Sequence, residues 1–231
     1  MAWRCSGNTN EELLDNLFNN GLIKSPTVKD AMSRVDRAHY CPSPQYAYED
    51  SPQSIGHAAT ISAPHMHASA CESLLPFLYP GARILDVGSG SGYLTAVLAE
   101  LVCSKEGGKV LGLEHIETLR DLGEANMTKS DTGKRLIESG KVSFVVGDGR
   151  LGWKDQGGEE WDAIHVGAAA VKLHKALLEQ LRRPGRIFIP VEDKDGSGDQ
   201  FIWVVDKSKD GSVTKEQLYG VRYVPLTDAP K

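Results

Sequence analysis

Asp86-Val87-Gly88-Ser89-Gly90-Ser91-Gly92 is the stretch whose residue types and spacing point most directly to chemistry. It follows a short β-type run and opens an apolar helical pattern, the setting in which a glycine-rich loop lets a nucleotide-type ligand touch the main chain. The dinucleotide spacing G-x-G-x-x-G is not met, because Tyr93 stands where the third glycine would fall. The Asp86 carboxylate also disfavours a pyrophosphate, which at about 6 Å would be repelled by roughly 3 kcal/mol at an effective dielectric near 20. S-adenosylmethionine carries a sulfonium and an ammonium and no phosphate, so the same carboxylate tolerates it. Glu114 closes the next strand, where an acidic side chain can accept from both ribose hydroxyls. Asp148-Gly149 closes the strand after that and fits a contact to the adenine amino group, although spacing alone leaves a plain turn open there.

Other chemistries find less support. His65, His67 and Cys71 lie near one another, and the last two are four apart on a helical pattern, but no further ligand at supporting spacing argues for zinc. No Ser-His-Asp constellation is evident. Met66 and Tyr93 read as packing or pocket wall, and Trp153 and Trp161 as surface-loop residues with partly buried rings.

The elements that must position these residues follow from the apolar spacing. Thr9 with Glu12 reads as a capping box ahead of a helix carrying Leu13, Leu14, Leu17 and Phe18, stopped at Gly21. Ser25-Pro26 opens a second helix with Val28, Ala31, Met32 and Val35 inward. Residues 40–64 are proline-punctuated and aperiodic, as a long functional loop would be. Helical spacing resumes at Ala68, Cys71, Leu74, Leu75 and Leu78.

From Arg83 strands and helices alternate. Strands are expected at Arg83–Val87, Lys109–Leu113, Val142–Val146, Ala163–Val166 and Arg186–Pro190. Helices are expected through Leu94–Val102, Leu119–Leu122 and Leu177–Leu181. Such alternation builds a parallel sheet with helices on both faces. Phe201–Val205 and Tyr219–Val224, flanking a turn at Asp210-Gly211-Ser212, predict antiparallel strands at one edge.

Composition fits this α/β class. The chain has 231 residues, 40% hydrophobic and 25% charged, with a net charge of −5; one domain spanning 1–231 is expected, with a helical and loop region at 1–80 and the sheet core at 81–231. The negative charge offers no field to draw nucleic acid or an anionic membrane. The scattered Cys5, Cys41, Cys71 and Cys103 form no C-x-x-C pair and suit a reducing cytoplasm. No signal-like or membrane-length apolar segment is evident.

Together with Asp50-Ser51-Pro52-Gln53-Ser54-Ile55-Gly56, Ala59-Thr60-Ile61-Ser62-Ala63-Pro64-His65-Met66-His67 and Asp162-Ala163-Ile164-His165-Val166-Gly167-Ala168-Ala169-Ala170, these residues closely resemble the protein-L-isoaspartate (D-aspartate) O-methyltransferase family over nearly the whole chain. The stretch from Ala59 to His67 is far more specific than the glycine loop. The resemblance implies a Rossmann-like S-adenosylmethionine-dependent methyltransferase fold: a mostly parallel seven-stranded sheet with an antiparallel edge and added N-terminal helices.

It also implies methyl transfer to the α-carboxyl of L-isoaspartyl residues, and more weakly D-aspartyl residues, in damaged polypeptides. The products are S-adenosylhomocysteine and an ester that cyclises to a succinimide. By the same resemblance Ser62 is the active-site residue; Ala59, Thr60, Ile61, Ser62 and His67 line the donor and substrate pocket; Ser89, Glu114, His115, Asp148 and Gly149 contact the donor beside Asp86, Val87, Gly88, Gly90 and Gly92; and Thr227 is a C-terminal contact. No metal, nucleic acid or membrane is expected, and the expected state is a monomer. The family pattern has proline where Val171 and His174 stand and glycine where Glu192 stands. Alternatives on the same residues are a methyltransferase for RNA or a small molecule, a donor-binding sensor without turnover and, more distantly, a nicotinamide oxidoreductase.

Overall fold

Strands buried on both faces need two cores, and alternate residues of the central strand supply them. In the computed structural model, which describes residues 5–103, 107–154, 158–193 and 197–228, Ile84 packs into one hydrophobic cluster while Leu85 and Val87 pack into the other. That period-two division is what a parallel sheet covered on both sides requires.

The elements in order are α1 (Asn10–Asn19), α2 (Pro26–Ser33), β1 (Gln53–Gly56), β2 (Ala59–Ile61), α3 (Pro64–Leu74), β3 (Arg83–Val87), α4 (Tyr93–Val102), β4 (Lys109–Glu114), α5 (Glu117–Met127), α6 (Asp131–Glu138), β5 (Val142–Val146), β6 (Trp161–Val166), α7 (Lys175–Gln180), β7 (Leu181–Glu192), β8 (Gln200–Lys207) and β9 (Val213–Val221). A seven-stranded sheet has the order β5-β4-β3-β6-β7-β8-β9. The pairs from β5 through β7 are parallel, and β8 and β9 add antiparallel. The chain therefore leaves β3 toward β4 on one side and returns to β6 on the other. The crevice at that switch point, beyond the C-terminal ends of the strands, is where ligands bind in open α/β sheets.

The N-terminal helices complete the first core: Leu14 of α1 and Met32 of α2 share a cluster with Val97 of α4. Thr9 caps α1 by accepting from the Glu12 N–H (3.1 Å), but Glu12 reaches back to the Asn8 N–H (2.9 Å) rather than to that of Thr9. The aperiodic region between α2 and α3 holds short 3₁₀ turns at Arg37–His39 and Pro44–Tyr46 and the antiparallel hairpin β1–β2. His57 and Ala58 turn that hairpin with φ of 53° and 55°, the left-handed pair that a two-residue hairpin demands and that side chains adopt reluctantly.

Several expectations are corrected. Leu181 does not end a helix: α7 stops at Gln180, and Leu181 begins the 12-residue β7. Helix α6 was not foreseen; Ser130 caps it through the Gly133 N–H (3.0 Å). The last strand is Val213–Val221 rather than Tyr219–Val224. Trp161 is not on a surface loop: it lies fully buried in β6, its Nε1 donating to the Trp153 carbonyl (2.9 Å). The sequence predicts a short polar loop at 194–199, of which residues 194–196 lie outside the described residues.

One buried carboxylate ties three segments together. Asp162 on β6 accepts from the Tyr79 hydroxyl (2.7 Å), the Arg83 N–H (2.8 Å) and Arg182 Nη1 (2.8 Å). Asp162→Ala leaves the Arg83 amide without that acceptor and the Arg182 cation without its partner. Losing the hydrogen bonds to this buried carboxylate is expected to lower the unfolding free energy by about 2 kcal/mol and the thermal midpoint by roughly 4–8 °C. A calorimetric midpoint within a degree of wild type would contradict that role.

Candidate functional site

The turn from β3 into α4 forms the floor of the site. Gly88, Gly90 and Gly92 all have positive φ. At Gly92, φ is +82° and a Cβ would lie 2.8 Å from the Gly123 carbonyl oxygen, so both conformation and the close approach of α5 require glycine. Gly90 donates its N–H to Glu114 Oε2 (3.0 Å), and Glu114 Oε1 accepts from the N–H groups of His115 (2.8 Å) and Ile116 (3.2 Å). The buried carboxylate at the end of β4 thus fixes the loop and the start of α5 together.

Asp86 is more committed than its position suggested. Its two oxygens are taken by Thr95 Oγ1 (2.6 Å) and His165 Nδ1 (2.8 Å). Asp86 and His165 face each other across the β3–β6 pair, and the imidazole stacks on Phe188. Toward a ligand, Asp86 acts as a fixed negative charge.

Three cavities meet above this floor. One of 260 Å³ is walled by the β1–β2 turn, by Gly88, Gly90, Glu114 and His115, and by a C-terminal strap. A second, of 580 Å³, lies between α3 and the residues following β9, with Ser62, His65, Met66 and Tyr223 in its wall. A recess of 30 Å³ between them is lined by Ser62, His67, Asp86 and Ser89. Thr60 and Gly167 line all three, and Ser62 lines the recess and the larger cavity. Ser62 therefore stands where the recess adjoins the larger cavity, and Thr60 and Gly167 stand where all three spaces adjoin.

The recess carries unpartnered polar atoms. His67 Nε2 and Ser89 Oγ are buried with no hydrogen-bond partner in the protein. Leaving such atoms unsatisfied costs about 1–3 kcal/mol each, so they mark where a polar ligand group belongs. Burial, reinforced by the charge of Arg37, holds the His67 pKa well below the ordinary imidazole value; the ring is neutral and rests against Tyr93 at 5.0 Å. The recess thus offers two unpartnered polar atoms next to the 260 Å³ space that Glu114 borders.

The strap closes the 260 Å³ cavity. Leu226 donates its N–H to the Ala169 carbonyl (2.7 Å), and the Thr227 carbonyl meets His115 Nδ1 (3.1 Å). Asp228 pairs with Arg150.

Most residues singled out in the sequence come together here. Ala59, Thr60, Val87, Gly88, Gly90, Glu114, His115, Gly149 and Thr227 line the 260 Å³ cavity, and Ile61, Ser62, His67, Asp86 and Ser89 line the recess. Gly92 and Asp148 line none of the three. Asp148 instead accepts from the Arg150 N–H (2.9 Å) and pairs with its guanidinium, whose hydrogen bonds hold the carboxyl below its ordinary range. His165, Gly167 and the Val224–Leu226 backbone were missed as site residues, and His165 lay in plain sight within the Asp162–Ala170 motif. Val171, His174 and Glu192 line none of these spaces. His65 Nδ1 is engaged by Asp50 (2.8 Å), burial raises the Cys71 thiol pKa, and no metal-holding group of His, Cys, Asp and Glu occurs among the described residues.

Comparison with known proteins agrees with the geometry. The family model described as Protein-L-isoaspartate(D-aspartate) O-methyltransferase (PCMT) matches residues 8–231. A protein-L-isoaspartate O-methyltransferase of Caenorhabditis elegans is 46% identical over 227 residues, covering 98% of this chain and 96% of its own. Protein-L-isoaspartate O-methyltransferase 1 of Arabidopsis thaliana is 45% identical over 220 residues, covering 95% and 92%. A Plasmodium falciparum crystal structure assigned as a protein-L-isoaspartate O-methyltransferase, in complex with S-adenosyl-L-homocysteine, superposes with a TM-score of 0.86 at 32% identity, covering 96% of this chain and 100% of that one.

Proposed function

The chain belongs to the protein-L-isoaspartate(D-aspartate) O-methyltransferase family, and from that premise we propose that it transfers a methyl group from S-adenosylmethionine to the α-carboxyl of L-isoaspartyl residues, and more weakly of D-aspartyl residues, in damaged polypeptides. The observation that carries this reading is the placement of Ser62 in the wall shared by the peptide-sized cavity and the recess beside the glycine loop, with Thr60 and Gly167 common to both and to the nucleoside-sized space.

When bound, S-adenosylmethionine supplies a methyl carbon on a sulfonium that is already a good leaving group. A carboxylate with pKa near 4 is ionised at neutral pH and needs no base, so the chain's work is positional. Glu114 receives the ribose hydroxyls, while Ser89 and His67 offer polar atoms to the amino-acid end. Asp86, held by Thr95 and His165, sets a negative charge beside the cationic donor. Ser62 donates its hydroxyl to one acceptor oxygen without neutralising the nucleophile. Thr60 and Gly167 bound the passage between the spaces. Such alignment can supply about 7–11 kcal/mol of barrier reduction. The ester formed then cyclises to a succinimide with no further help from the protein, the neighbouring backbone amide nitrogen attacking the ester carbonyl and methanol leaving.

Selectivity follows from backbone geometry. In an isoaspartyl linkage the chain runs through the side-chain carbon and the α-carboxyl hangs free. A pocket that grips flanking backbone rejects ordinary aspartate, because a misplacement of about 1 Å costs on the order of a hundredfold in rate.

Incubation with labelled donor and two peptides differing only in isoaspartate or aspartate should label the isoaspartyl peptide alone. Equal labelling of both, or of neither, rules the reading out. We also read the protein as a monomer of the cytoplasm; free cysteines, with Cys5, Cys41 and Cys71 buried, are in keeping with that compartment, and no described helix is long and apolar enough to cross a membrane. Sedimentation as a dimer at micromolar concentration would contradict the monomer.

A further inference from the structure

Arg37 is fully buried in the 3₁₀ turn after α2. Its Nη2 donates to the Ser62 carbonyl (2.8 Å), and its guanidinium carbon lies 5.3 Å from the Tyr93 ring centroid. Its Nε and Nη1 have no partner. Among the described residues no carboxylate lies within ion-pair distance of it. Asp50, which attracts it from further away, has one oxygen committed to both the N–H and the ring of His65 and the other unpartnered.

A clamp on one carbonyl does not call for a buried, uncompensated cation, since a neutral amide can donate the same bond. Burial pulls the guanidinium pKa down, yet it starts so far above neutrality that the charge persists. An unpaired buried cation is costly unless an anion joins it. The anion this site is built to receive is the acceptor carboxylate, which docks on the hydroxyl of the residue whose carbonyl Arg37 holds.

Resting on the methyl-transfer reading above, we propose that Arg37 is a positioning and selectivity residue: from behind Ser62 it fixes the acceptor loop and supplies the positive potential that favours an ionised carboxylate over a neutral carboxamide. With Asp86 on the donor side, the junction then has opposite charges facing the two reactants, positive behind the anionic acceptor and negative beside the cationic donor. Neutral His67, whose protonation Arg37 opposes, leaves that polarity undisturbed.

The test compares two peptides of one sequence, carrying isoaspartate or isoasparagine at the same position, in calorimetric titrations of the full-length protein saturated with S-adenosylhomocysteine. Wild type is expected to bind the carboxylate peptide about tenfold tighter than the carboxamide, a modest Coulomb effect for charges several ångströms apart. Arg37→Gln, which can still donate to a carbonyl, should bring that ratio near one while leaving S-adenosylhomocysteine affinity within about twofold. Arg37→Lys should retain most of the ratio. A purely structural clamp would weaken both peptides alike and leave their ratio unchanged. That result overturns the inference, as does a wild-type ratio near one, or loss of the ratio in Arg37→Lys with the fold intact. If Arg37→Gln does not fold, the wild-type ratio and the lysine variant still decide. Turnover of the isoaspartyl peptide by wild type is measured alongside: its absence overturns the methyl-transfer reading, whereas its presence with an unaltered ratio overturns the role of Arg37 alone.

Discussion

Ser62→Ala is expected to lower methyl transfer to an isoaspartyl peptide by about ten- to a hundredfold, the worth of one hydrogen bond to a charged group. The affinity for S-adenosylhomocysteine should stay within about twofold of wild type. The backbone of residue 62 remains held by Arg37 through its carbonyl, so alanine removes the hydroxyl without freeing the loop. The loss should appear in kcat/KM for the peptide, because the bond is made to the acceptor and strengthens as the oxygen aligns. Initial rates with labelled donor and a parallel calorimetric titration separate the two effects. Unchanged turnover would remove Ser62 from the reaction, and lost donor binding would assign it to the other cavity.

The second large effect concerns the donor. Glu114→Ala should weaken S-adenosylhomocysteine binding by about ten- to a hundredfold, since the ribose hydroxyls lose a charged acceptor. The same change frees the Gly90, His115 and Ile116 N–H groups that the carboxylate now gathers, loosening the glycine loop in the same direction. Glu114→Gln keeps one acceptor oxygen and should fall between alanine and wild type. Binding of the peptide, which touches the other cavity, should change little. Calorimetry that finds donor affinity unaltered in the alanine variant would place the ribose elsewhere.

How much of this was legible in the sequence depended on whether a signal was local. The glycine loop, the strand-end acids and the alternation after Arg83 are local patterns, and the fold places them as their spacing predicts. The Ala59–His67 stretch was legible through its resemblance, which no periodicity could have supplied. Strand β9 was misplaced because eight of its nine residues are exposed, so an edge strand of this kind shows no burial alternation to read. Helix α6 was passed over because Gly133 interrupts a segment with few apolar residues, and Leu136 and Ile137 only partly bury.

Partnerships formed across the fold were illegible in principle. Asp86 faces His165 only because β3 and β6 pair in one register, and the sequence gives no hint that both carboxylate oxygens are spent internally. Arg37 lies in an aperiodic turn, 25 residues before the serine whose carbonyl it holds. Asp148 ends a strand as expected, yet its oxygens turn to Arg150, a choice that composition and spacing left open.

A crystal structure with S-adenosylhomocysteine and an isoaspartyl peptide bound together measures the arrangement most directly. The sulfur should sit at the mouth of the recess, with the nucleoside beside Glu114. The α-carboxylate should accept from the Ser62 hydroxyl, one oxygen pointing at the sulfur through the gap bounded by Thr60 and Gly167. A peptide bound on another face, or a carboxylate turned from Ser62 with protein side chains filling that gap, would contradict it.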